Sequence, residues 1–402
     1  MLKLRRAVVV EADSSELAGE DASGSGERSE RLEQHLRIEL LGASGPAAGA
    51  AAASATDASR VRPAIADLAL VGPAEAGDEV IVNVQALDLG LGSGGFDIVH
   101  ANLTRGLAGG DPCGANVMKL NYTSLQHAVA PVEGERLQLP LRRPVAVLAL
   151  HGQLAAVTWA FARAVPGGRL GYVQTEGGAL PGSRSQTVRA LRDRGLLAGH
   201  LTAGAAFGGE AEAITTAGAL HHGLRALGWD AAVCGPGPGI VGSSSVLGHG
   251  GMHALDSAHV ALTLGCRTLL VVRMSSGDER ARHRGISHHT LTVLDLLLEP
   301  VTVALPAGTR SPRRLGGERP ARITRHDWRM ARVDLTGFAA CGLPAATMGR
   351  GLTEDPLFFA AALAGGTALA QALPPPDAEG ARHAHDDKPQ EGAPAPEAKH
   401  QG

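Results

Sequence analysis

AAVCGPGPGIVGSSSVLGHGGMHALDSAHVALTLGCRTLLVVRM, residues 231–274, decides the fold. Residues 231–234 and 268–274 are apolar runs of strand length. Between them, residues 252–264 carry apolar side chains at helical spacing. A step of about 100° per residue puts Met252, Leu255, His259 and Leu262 on one stripe. Strand, loop, helix and strand make a βαβ unit, whose two strands run parallel in one sheet. His259, on the apolar stripe, reads as a core histidine.

The pattern repeats outward from this unit. Residues 145–150, 170–175, around 201, 301–305 and 331–335 read as further strands, and 154–164, 185–194, 212–227, 287–297 and 356–370 as helices. The alternation predicts an α/β fold, an open and mostly parallel sheet domain over residues 141–373. Residues 1–140 differ. Short strands at 4–10, 36–41, 64–71, 78–89, 96–101, 119–123 and 137–139, with few helical periods, predict an N-terminal small β-barrel-like domain. A polar loop at 13–28 and an Ala/Gly/Ser-rich insertion at 42–59 interrupt it, and 90–95 is a glycine loop. Residues 374–402 lack apolar periodicity and read as a disordered tail with solvated histidines.

Composition narrows the function classes. Hydrophobic residues make up 44% of the chain, enough for a sizeable core, but aromatics are only 3%, so that core must be mostly Ala, Val and Leu. A net charge of −3 supplies no overall field for nucleic acid or an anionic membrane. Eight arginines over residues 309–332 have almost no interleaved aromatics and read as a solvated connection. The longest apolar runs fall short of the roughly 18–20 residues of a membrane span. The start, MLKLRRAVVVEADSS, lacks the apolar core of a signal peptide. A cytoplasmic protein is expected. The four cysteines, Cys113, Cys234, Cys266 and Cys341, form no CxxC pair; Cys234 and Cys266 lie in or beside apolar runs and read as small buried hydrophobes.

In parallel sheets, ligands bind beyond the carboxyl ends of the strands, so the loops after the apolar runs hold the candidates. Gly237–Gly242 fits GxGxxG after a strand, but no acidic residue ends the next strand and further glycines delay the helix. A nicotinamide or flavin cofactor is therefore not expected. No lysine precedes Ser243 and Ser244, so the loop is not a nucleotide P-loop either. What remains is an anion cradle: Gly237, Gly239 and Gly242 let the backbone approach, and Ser243, Ser244 and Ser245 offer hydroxyls. Ser183 and Arg184, ahead of a helix capped by Ser185, suit the same task, as do Arg284 and Arg350. No GxSxG elbow surrounds these serines.

For proton transfer the candidates are His288, His289 and Glu176. Ser287 is a suitable N-cap, which places both histidines in a first helical turn, where the helix dipole disfavours imidazolium. Neutral imidazoles at pH 7 follow, as acid–base chemistry or metal ligation requires. Glu176 stands at the carboxyl end of the 170–175 strand. His253 and Asp256 are i,i+3 neighbours; with His288 they are the candidate metal ligands, although HExxH is absent. Glu354 and Asp355 read as ordinary dipole partners of the last helix.

Several stretches resemble a bacterial family known as domain of unknown function 3866. They are ALDLGLGSGGFDIVHANL (86–103), YVQTEGGALPGSRSQTV (172–188), AGAAFGGEAEAITTAGAL (203–220), GPGPGIVGSSSVLGHGGMHALDSAH (235–259), ERARHRGISHHTLT (279–292) and TMGRGLTEDP (347–356). RHRGISHHTLT is the most specific. Where the family carries an aromatic Gly-Phe-Ser-Gly turn, this chain reads Leu247-Gly248-His249-Gly250, which leaves His249 outside the resemblance. The resemblance implies the layout and the polar glycine loops, but no activity.

The leading expectation is an enzyme acting on a small anionic metabolite, phosphate or carboxylate, by His/Glu acid–base chemistry. A non-catalytic small-molecule-binding or assembly protein and a metal-dependent hydrolase are the alternatives. A divalent metal and a homo-oligomer stay open; nucleic acid and membrane are not expected partners.

Overall fold

The computed structural model describes residues 2–13, 33–42, 61–90, 95–105, 114–178, 181–310 and 321–374. Most of the polar loop, the Ala-rich insertion beyond Gly42, most of the glycine loop at 90–95, Cys113, residues 311–320 of the arginine-rich connection and the tail from 375 lie outside them.

Five strands close into a barrel in the order β1-β2-β3-β5-β4: β1 (Leu4–Ala12), β2 (Glu33–Leu40), β3 (Val61–Asp67), β4 (Glu79–Asn83) and β5 (Asp97–Asn102). Pairing of β1 with β4 completes the ring, and only β3 and β5 run parallel. Alternating residues fill it: Ala7 and Val9, Leu36 and Ile38, Ala64 and Ala66, Val80 and Val82. Two expected strands are cut short by turns of helix, α1 (Leu68–Val71) and α2 (Gln85–Asp88). β6 (Val117–Lys119) and β7 (His127–Val129) form a hairpin beyond the barrel. Residues 137–139 form no strand.

The second body is an eight-stranded sheet in which every pairing is parallel. Its order is β11-β10-β9-β12-β8-β13-β16-β17. The strands are β8 (Pro144–Val147), β9 (Leu170–Thr175), β10 (Gly199–Ala203), β11 (Ala211–Ala213), β12 (Ala231–Pro236), β13 (Arg267–Val271), β16 (Thr302–Pro306) and β17 (Asp327–Ala331). Helices α3 (Leu154–Ala164), α4 (Gln186–Asp193), α9 (Leu335–Ala340) and α10 (Pro356–Gln371) cover one face. Helices α5 (Thr216–His221), α6 (His253–Thr263), α7 (His288–Leu296) and α8 (Ala321–Thr324) cover the other. The strands are apolar on both faces, as burial under two helical layers requires: in β8, Val145 and Val147 face one core, Ala146 the other. Cys234 and Cys266 are buried, and burial pushes both thiols up to about 12. No helix among the described residues is long and apolar enough to cross a membrane.

Trp229 shows how glycine serves this sheet. The indole is fully buried, and a Cβ on Gly171, Gly199 or Gly223 would lie 2.0, 2.9 or 2.4 Å from it. The ring replaces side chains at three glycines.

The chain leaves β8 for α3 on one face, whereas neighbouring β12 and β13 lead to α6 and α7 on the other. Loops diverging to opposite faces open a crevice at the carboxyl ends of these strands.

Candidate functional site

The sequence after β13 folds back on itself. β14 (Met274–Ser275) pairs antiparallel with β15 (Gly285–Ile286), so residues 276–284 form a closed loop over the sheet edge. Ser287 then caps α7 as the sequence predicts, its hydroxyl accepting the His289 N–H at 3.2 Å. A second hairpin, β18 (Ala346–Thr347) and β19 (Arg350–Gly351), brings Arg350 in from the other side.

The loop is organised by one carboxylate. Asp278 is 2% exposed, and Arg280 donates to its two oxygens through Nε and Nη2, both at 2.9 Å. Arg350 adds a bond at 3.2 Å, and Arg273 lies 3.6 Å away. The hydrogen bonds from Arg280 hold the Asp278 carboxyl well below the usual carboxylate range. Asp355, fully buried at the start of α10, accepts from Ser275 Oγ at 2.5 Å and the Ser276 N–H at 2.8 Å. Burial opposes its ionisation, but these bonds and Arg350 outweigh it, and its carboxyl lies below the ordinary value. Asp355 is therefore a structural clamp on the loop, not the helix-dipole partner the sequence suggests.

Beside this loop four imidazoles pack together. His249, from the loop after β12, stacks on His289 with ring centroids 3.3 Å apart. His283 and His288 approach at 5.0 Å, and His288 and His289 at 4.3 Å. His283 bonds Ser287 Oγ through Nδ1 at 2.8 Å, and Arg273 donates to His289 Nδ1 at 2.9 Å. Both nitrogens of His249, and Nε2 of His288 and of His289, are buried without a hydrogen-bond partner. A buried polar atom left unpaired costs about 1–3 kcal/mol. Four of the unpaired buried side-chain atoms among the described residues fall in this one cluster.

The surroundings disfavour the charged form of all four rings. Burial lowers the pKa of each; beyond it, Arg282 acts on His288, Arg273 on His283 (to about 4), His249 and Arg273 on His289, and His288 on His249. The expected neutrality of His288 and His289 thus has burial and neighbouring arginines as its cause. Burial also brings Arg273 down to about 10, against the pull of Asp278.

The other sequence candidates fall elsewhere. In the glycine loop, Ser243 Oγ donates to Gly248 O at 2.8 Å while Ser245 Oγ accepts the Gly248 N–H at 3.2 Å. The Ser243 proton is thus engaged within the loop, whereas the Ser245 hydroxyl serves there as an acceptor. Gly237 meets Gly178 so closely that a Cβ on Gly178 would lie 2.3 Å from Gly237 O; this glycine lets two loops touch. Gly239 takes a φ of 80°, and Gly242 bridges to His249. Ser244 is exposed on the same loop. The stretch is thus a scaffold that delivers His249.

Arg184 is buried against Asp67 of β3 at 3.5 Å, a tie between barrel and sheet, and the Ser183 carbonyl accepts from Arg189 at 3.1 Å. Glu176 is exposed and accepts the Ala205 N–H at 3.1 Å; no hydrogen bond joins it to His288 or His289 among the described residues. His253 lies 3.8 Å from exposed Asp256, outside the four-ring cluster. His259 is half-buried and accepts the Leu298 N–H at 3.2 Å. Arg350 does belong to the cluster. Arg284 stands at its rim, its Nε on Asp278 O at 3.0 Å.

Sequence reasoning missed Arg273, Asp278 and the membership of His249 and His283. The signal was the density of charge in SSGDERARHRG directly after a strand. It also missed a second buried polar chain: Ser185, the cap of α4, bonds His151 Nε2 at 2.7 Å, and His151 Nδ1 lies 3.3 Å from Tyr172 Oη.

Fold and site together define an α/β protein with a closed N-terminal barrel and a histidine–arginine cluster at the carboxyl edge of its parallel sheet. The chain belongs to the family described as "Protein of unknown function (DUF3866)", whose model matches residues 63–366, from within β3 to within α10. Neither the curated proteins nor the solved structures contain a match.

Proposed function

We propose that this protein is an enzyme acting on a small anionic metabolite, a phosphate or carboxylate, at the histidine–arginine cluster. The observation that carries this reading is a set of four packed imidazoles, His249, His283 and His289 buried and His288 half-buried, with unpaired nitrogens on His249, His288 and His289 and the Arg273 guanidinium on His289. Arg282 and Arg284, exposed at the rim, supply counter-charge for an incoming anion. Neutral imidazoles supply the lone pairs and N–H groups that acid–base chemistry needs near neutral pH. Glu176, engaged with Ala205, is left out of this mechanism.

The test is a thermal-shift screen of phosphorylated and carboxylated metabolites, followed by turnover assays on the hits. A ligand at about 100 times its Kd stabilises a protein by about 2.7 kcal/mol. At least one anion should raise the melting temperature of the native chain, and His288→Asn and Arg282→Ala should each reduce the rise. An anion that stabilises both variants as much as the native chain binds elsewhere and defeats the proposal. The same readout separates the non-catalytic alternative, in which a hit binds without turnover.

A further inference from the structure

We infer that His283, His288 and His289 form a binding site for a divalent transition-metal ion of the zinc class. One nitrogen from each ring can be chosen so that all three atoms lie within 4.8 Å of one another. The three residues sit in one short span, fixed by the β14–β15 hairpin and by Ser287, which both caps α7 and bonds His283. Spacing alone would describe any packed trio of rings. The second observation is that Nε2 of His288 and of His289 is shut off from solvent with no partner, in a ring set that includes a His289 only 8% exposed.

The donor set selects the ion. Three nitrogens without thiolate or carboxylate suit zinc, nickel, copper or iron; magnesium and calcium require oxygen ligands. Asp278 and Asp355 cannot serve, because arginines and the Ser275–Ser276 turn occupy their oxygens. Three protein ligands leave an open coordination position, the arrangement of catalytic rather than structural zinc. His249, stacked on His289 with both nitrogens unpaired, then remains for proton transfer. The inference rests on the same cluster as the proposed function and names a cofactor for it.

Arg273 opposes the ion. Its guanidinium donates to His289 Nδ1, which leaves the proton of that ring on Nε2. A metal binds either at Nδ1, once the guanidinium has left it, or at Nε2, once the ring proton has moved to the freed Nδ1; both routes require Arg273 to withdraw. Arg273 has a place to go, since its Nη2 already lies 3.6 Å from Asp278. Arg273 is therefore a competitor for His289, and its removal should strengthen metal binding.

The experiment uses the full chain stripped with chelator and zinc alone as titrant, with bound metal read by equilibrium dialysis and elemental analysis. Zinc binding is thus measured whether or not any anion binds. The native chain should take up one equivalent. His288→Asn should weaken binding about tenfold or more, His253→Gln should leave it unchanged, and Arg273→Gln should tighten it several-fold. A His383→Asn/His385→Asn tail variant controls for histidines outside the cluster and should bind as the native chain does. Circular dichroism and the unfolding midpoint verify that each variant folds; cobalt absorption of the native chain gives a readout independent of the variants. The inference is overturned if the native chain takes up no stoichiometric zinc, if tail or His253 variants abolish uptake, or if Arg273→Gln binds more weakly.

Discussion

Asp278→Asn is the sharpest perturbation of the site's framework. The carboxylate faces Arg280 and Arg350 at hydrogen-bonding distance and Arg273 at 3.6 Å. Removing one partner of a buried ion pair costs about 3–5 kcal/mol, because the other charge is stranded. The three arginines are not equally stranded. The Arg280 side chain is 41% exposed and finds water; that of Arg273 is 5% exposed and does not. The expected loss is thus at the low end, about 3 kcal/mol, read as a fall in urea unfolding free energy. Arg273→Met tests the cause. If stranding of Arg273 carries most of the cost, Asp278→Asn in that background should cost only about 1 kcal/mol, a coupling of about 2 kcal/mol. A loss below about 1 kcal/mol in the single variant, or strict additivity in the double, would refute this reasoning.

Three further outcomes are expected. Gly171→Ala should destabilise the chain by about 3 kcal/mol or more, since its Cβ would lie 2.0 Å from a Trp229 ring that Gly199 and Gly223 also enclose; a melting temperature equal to native would contradict it. His151 and His200 are buried, and burial lowers them to about 4 and about 3. The unfolded chain binds protons first, so this stability is complete above about pH 6.5 and declines below it, by about 2 kcal/mol per residue at pH 5. Urea midpoints between pH 7.5 and pH 5 should fall, and His151→Asn should flatten the dependence; an unchanged slope would sink the assignment. Ser185→Ala removes both the α4 cap and the partner of His151 and should cost about 1–3 kcal/mol by the same assay, with no change counting against the role of the pair.

The parallel sheet was legible because its strands are short and apolar on both faces and alternate along the chain with stretches of helical length. Helix α3 was expected over 154–164 and is found at Leu154–Ala164. Short elements were less legible. An apolar run such as 64–71 suits strand or helix, and only barrel closure decides that β3 stops at Asp67 and α1 begins. At the site, Ser287 before two histidines exposed the start of α7, because capping is local chemistry. Asp355 is far from Ser275 in sequence and joins it only through packing of α10. The glycine loop misled because glycine permits both anion contact and close backbone approach; Gly178 against Gly237 is the second case. His249 stands where the chain departs from the family pattern, yet that loop carries its ring onto His289.

The central claim is that the cluster of His249, His283, His288 and His289 is the working centre. The most direct measurement is NMR of the histidine ring resonances during titration with the stabilising anion. The account predicts that these four rings shift together and saturably, while His151, His200 and His259 stay in place. Saturable shifts confined to other histidines, with these four unmoved, would contradict it.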